Sequence, residues 1–145
     1  MLGKSTRSYR LADESALHAA KDIIADIPEP IADGVVLKVN VTGVTGSGTL
    51  DLYIQTTDDG GSSWKDMAHL TQLTATTANP LYVPIPVASG PVLCGQVGDK
   101  TAGAGTVTSL PMLSSTIRLR AVAPTASAYF KFTADILAQS LPFQS

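Results

Sequence analysis

The sequence predicts an all-β domain, a jelly-roll-type β-sandwich of about eight strands, and three observations carry that prediction. Residues 35–42 (VVLKVNVT) alternate without a break, with Val35, Leu37, Val39 and Val41 on one side and Val36, Lys38, Asn40 and Thr42 on the other. That is the period of two expected of a strand with one buried face. Residues 49–70 (TLDLYIQTTDDGGSSWKDMAHL) read as a strand, a tight Asp/Gly turn and a returning strand, and they hold the single Trp. Short apolar alternations separated by Gly, Pro and Asp turns then recur to the end of the chain. With 145 residues and 44% hydrophobic content, one domain can bury a substantial core.

Taken in order, residues 1–15 are polar, with Lys4, Arg7 and Arg10 as the only basic cluster. Such a segment buries little apolar surface against a large ordering entropy, so a flexible N-terminal arm is expected. Tyr9 and Leu11 could anchor it on a partner. A single sandwich domain over residues 16–145 follows. Residues 16–27 admit two readings. Leu17, Ala20, Ile24 and Ile27 fall at helical spacing, with Asp13 or Ser15 as an N-cap. Ala19, Ile23, Ala25 and Ile27 also alternate against Asp22 and Asp26, and the β-rich remainder favours a strand. Pro28 and Pro30 end either element.

After the Ala32-Asp33-Gly34 turn comes the strand at 35–42, then a Gly-rich turn at 43–48. The strand at 49–56 points Leu50, Leu52 and Ile54 inward, and residues 64–71 return antiparallel. Residues 81–87 are strand-like, but Pro84 and Pro86 cannot donate to a ladder, which places them at a sheet edge. A short strand is expected at 92–97 and an exposed, flexible loop at 98–105 (GDKTAGAG). Residues 115–122, with Ile117 and Leu119 alternating with Arg118 and Arg120, and residues 129–137, with Phe130, Phe132, Ala134 and Ile136 on one face, complete the strands. The tail, 139–145, either docks on a neighbour through Leu141 and Phe143 or trails away.

Charged residues make up only 15% of the chain and the net charge is −2. No global field recruits nucleic acid. So few charges fit a surface kept against something other than water, and equally a β surface on which Ser, Thr and Gly replace charge. Cys94 is the only cysteine and lies in an apolar stretch, so an intrachain disulfide is excluded and a buried thiol expected. His18 and His69 have no cysteine partners at metal spacing, so no metal or other cofactor is expected. The N-terminus has no apolar signal core and no run reaches membrane-spanning length, which points to synthesis in a cytoplasm and to no membrane partner.

The turn contains Thr57, Asp59, Gly61, Ser63 and Trp64 in the order of an Asp box, a pattern known from sialidase-like propellers and unrelated β proteins. Its physics is structural: the carboxylate gathers turn amides, glycine supplies positive φ, and the Trp covers the hairpin base. A propeller would repeat it blade after blade, and here it occurs once. Asp58, Asp59 and Asp66 lack calcium-loop spacing. No serine sits in a nucleophile elbow and no phosphate loop is present, so no enzyme is expected. A hydrolase would have to depend on His69 or Asp66. A carbohydrate-binding sandwich would need exposed aromatics such as Tyr53, Tyr82 and Tyr129.

Residues 49–72 also resemble a segment of small structural proteins of tailed bacteriophages. The matching positions are Thr49, Leu50, Asp51, Ile54 and Gln55, then Asp59, Gly60, Gly61 and Trp64, then Asp66, Ala68, Leu70, Thr71 and Gln72. Residues 117–139 resemble the paired C-terminal strands of such proteins, while the N-terminal segment matches no pattern. The resemblance implies a non-enzymatic virion protein, made in the host cytoplasm. Its role would be that of a head decoration or cement protein that binds the major capsid protein, with neck or tail proteins as the alternative. It further implies a homo-oligomer, a trimer or dimer, with the arm gripping the shell.

Overall fold

The alternations become nine strands in a computed structural model that describes residues 5–17, 19–27, 34–77, 79–85, 97–108, 110, 112–123 and 129–140. They are β1 (Ser5–Leu17), β2 (Lys21–Asp26), β3 (Gly34–Thr45), β4 (Asp51–Thr56), β5 (Lys65–His69), β6 (Leu81–Ile85), β7 (Thr106–Val107), β8 (Thr116–Val122) and β9 (Tyr129–Ser140). Two antiparallel sheets result, with strand orders β1-β9-β3-β6 and β2-β8-β4-β5-β7.

One core joins the sheets. Val35, Leu37, Val39 and Val41 of β3 and Phe130, Phe132, Ala134 and Ile136 of β9 meet Leu52 and Ile54 of β4 and Ile117, Leu119 and Ala121 of β8, all fully buried. These are the inward positions that period-two alternation selects. The chain is doubled back on itself, so that β1 pairs with β9, β2 with β8, β3 with β6 and β4 with β5. The sheets are then filled by β3 with β9 and β4 with β8.

Four expectations change. The segment expected as a free arm is, from Ser5, the edge strand β1, running in register from Ser5 opposite Ser140 to Leu17 opposite Phe130. Leu11, Ala12 and Leu17 enter the core and Tyr9 packs against it, so burial repays the ordering that the polar residues alone could not. Lys4 lies outside the described residues. Residues 16–27 are not one element: Leu17 ends β1, and Lys21–Asp26 form a strand. The expected loop at 98–105 is bound to the sheet and leads into β7, a strand the sequence reading did not include. Finally, β9 continues to Ser140, so its last two residues lie within the sheet rather than in a tail. β6 is an edge strand as expected. The strand expected at 92–97 lies outside the described residues except Val97, which is not in a strand. Cys94, His18, Pro28, Pro30 and Pro86 also lie outside them.

Candidate functional site

The densest polar cluster lies on the outer face of the five-stranded sheet, where water would ordinarily be. Asp66 on β5 and Gln55 on β4 are fully buried there. One carboxylate oxygen of Asp66 accepts from Gln55 Nε2 and the Lys100 amide, each at 2.8 Å. The other accepts from the amides of Thr101 at 2.7 Å and Ala102 at 2.9 Å. A carboxylate has about four acceptor sites, so Asp66 is saturated. Three successive amides can converge on it because Lys100 adopts a left-handed φ of 58°.

The loop that supplies these amides, residues 97–108, runs along the free side of β5. The Asp66 amide donates to Gly98 O at 2.9 Å, that of Gly105 to His69 O at 2.8 Å, and that of Thr108 to Met67 O at 2.9 Å. Its packing is tight: a Cβ on Gly98 would fall 2.4 Å from Thr101 Oγ1. Arg118 of β8 closes the cluster. Its Nε donates to Gln55 Oε1 at 2.7 Å and its Nη2 to Asp99 Oδ1 at 3.1 Å, and Gln55 Nε2 also donates to Asp99 at 2.6 Å. The guanidinium carbon lies 4.8 Å from the Trp64 ring centroid, a cation–π contact.

At the loop's far end His69 Nδ1 is 2.8 Å from Ala102 O and its Nε2 is 3.0 Å from Asp51 Oδ1. Tyr53 stacks on this imidazole with centroids 3.9 Å apart. Burial, followed by the charges of Asp51 and Asp66, raises the Tyr53 hydroxyl above its ordinary pKa. Gln72 Nε2 donates to the other oxygen of Asp51 at 3.3 Å.

The hairpin turn brings Thr57, Asp59, Gly61, Ser63 and Trp64 together. Asp59 accepts from Thr57 Oγ1 at 2.8 Å, from the Ser63 amide at 2.9 Å and from Ser63 Oγ at 2.5 Å, while the Gly61 amide donates to Thr57 Oγ1 at 3.0 Å. The Ser63 and Thr57 hydrogen bonds lower the Asp59 pKa to about 2. Gly60 and Gly61 take φ of 73° and 97°, the left-handed region that glycine enters without strain. Trp64 is buried at the base of the turn.

The other predicted residues scatter. Arg10 is bonded to Asp135 at 2.5 Å, Leu11 is in the core, and the backbone of Arg7 pairs opposite Ala138. Tyr53 belongs to one sheet, Tyr82 and Tyr129 to the other. Tyr82 lies opposite Lys38 and Tyr129 opposite Thr45 of the same strand. That places the two about 20 Å apart at strand spacing, so the three rings form no common platform. Among the described residues no group of three or more His, Cys, Asp or Glu is placed to hold a metal ion. A shallow, mostly apolar groove of about 210 Å³ lies between the β6 edge and the β5–β7 edge, lined by Leu70, Leu81, Tyr82, Val83 and Val107 among others. Tyr82 and Val107 are exposed at it.

Sequence reasoning passed over Gln55, Asp99, Arg118 and the amides of 100–102. The available signal was a polar residue, Gln55, in a strand whose neighbours are apolar. No family model, curated protein or solved structure matches the chain.

Proposed function

We propose that the protein is a non-enzymatic structural protein of a tailed-phage virion, a decoration or cement protein that binds the major capsid shell. The observation that carries this reading is the use to which the resembling residues are put. Asp51, Gln55, Asp59, Trp64, Asp66 and Gln72, drawn from all three parts of the phage-like segment, are engaged with one another or with the turn and loop they hold. Polar groups with every acceptor occupied hold a scaffold rigid and have little capacity left for chemistry on a substrate.

The strand pairing supports the jelly-roll reading. With the two-residue β7 set aside, the first four strands pair in nested fashion with the last four, the winding of two Greek keys. Adhesion would come from uncharged surface such as the Tyr82–Val107 groove, weak at each site and strong over an array of copies. The test is direct. Purified protein added to capsids of the cognate phage that lack it should bind them and raise their melting temperature. Capsids that neither bind it nor gain stability would overturn the reading.

A further inference from the structure

Each sheet ends in two edge strands, β1 and β6 in one and β2 and β7 in the other. Three of the four are short: β7 has two residues, β2 has six, and β6 has five with Pro84 among them. Short strands and prolines are ways of preventing a sheet edge from pairing with another chain. β1 is different. It has 13 residues and no proline, and among the described strands it is hydrogen-bonded to β9 alone. Its outward backbone groups form a row that an extended segment can join.

Charge indicates which segment. Arg7 and Arg10 occupy the first half of β1, and Asp13 and Glu14 the second. Between them Leu11 and Ala12, successive residues both buried, form a bulge where the register with β9 shifts. A strand with its signs segregated in this way is complementary to a second copy of itself running antiparallel, whereas a parallel copy would set like charges side by side.

We propose that β1 is a homodimer interface, in which two copies pair antiparallel about a two-fold axis passing through the Leu11–Ala12 bulge. Residues 5–10 of each copy then lie along residues 13–17 of the other. Arg10 faces the second copy's Asp13 on both sides of the axis, an isologous arrangement. The two side chains are suitably placed: they are 52% and 69% exposed and 3.6 Å apart within one chain. The joined sheet has eight strands and ends at both outer edges in β6, where Pro84 interrupts the donor row and limits further growth. This interface is independent of whatever surface the protein binds, and is read in solution without a capsid.

The experiment is a charge swap followed by sedimentation equilibrium across the micromolar range, with circular dichroism as the folding control. Wild type should sediment at twice the 15.0 kDa chain mass. R10D and D13R should each be monomeric, because each homodimer would set like charges together. An equimolar mixture of the two should recover the dimer, since the introduced charges are again opposite. R10D also loses its bond to Asp135, so if it misfolds, D13R with hydrogen exchange carries the test: amides of residues 5–10 should exchange faster in D13R than in wild type. A monomeric wild type, a trimer, or a dimer indifferent to both substitutions would overturn the proposal.

Discussion

Two aspartates, Asp59 and Asp66, do the same job in the same hairpin by different means. Asp59 collects hydrogen bonds from within four residues, on the surface, and its turn is complete without the rest of the protein. Asp66 is buried and gathers amides 34 to 36 residues away, closing a loop over a face that would otherwise be wet. A local clamp sets the path of a turn. A remote clamp sets where a whole segment lies, and its loss leaves buried groups without partners.

Trp64 belongs to both regions, lying beneath the turn and against Arg118 of the remote network. Trp64→Ala should therefore have the largest effect, about 3–5 kcal/mol of stability as for other large core truncations, measured by denaturant unfolding. An unchanged midpoint would mean the ring joins neither region. Asp66→Ala should cost about 3 kcal/mol, the scale for buried hydrogen bonds to a charged group. It should abolish exchange protection at the amides of residues 100–102 while leaving Gly61 and Ser63 protected. Loss of protection in both regions would show that the clamps are not separable.

The smallest effect is expected at Asp59 and is best read by pH. Its folded pKa, about 2, lies below the ordinary 3.8, so the carboxylate's contribution is complete above the ordinary value and is lost as pH falls through about 2. A carboxyl NMR titration should show that midpoint, and Ser63→Ala should move it up towards 3.8. A wild-type midpoint already near 3.8 would mean that the turn does not hold its aspartate.

The same contrast explains what could be read in advance. The inner faces of β3, β4, β8 and β9 were legible because alternation is a property of neighbours along the chain, and so was the Asp59 turn. β1 was misread because its composition is that of a solvated terminus. What makes it a strand is β9, whose Asp135 meets Arg10 across 125 positions. The 98–105 stretch was misread for a related reason: a Gly-rich loop and a buried aspartate are each unremarkable until the fold brings them together. Gln55 carried a faint signal, a polar side chain among apolar neighbours, but its partners come from three separate elements.

The nested pairing also has a consequence in time. β9, the last strand to leave the ribosome, lies between β1 and β3. Until it emerges, two of the earliest strands have a gap where their shared neighbour belongs, while the β4–β5 hairpin can already close. Folding dominated by such distant pairings is slow and leaves sheet edges open. A chain cut before residue 129 therefore loses the middle of a sheet rather than its end, and it should aggregate rather than fold as a shorter domain.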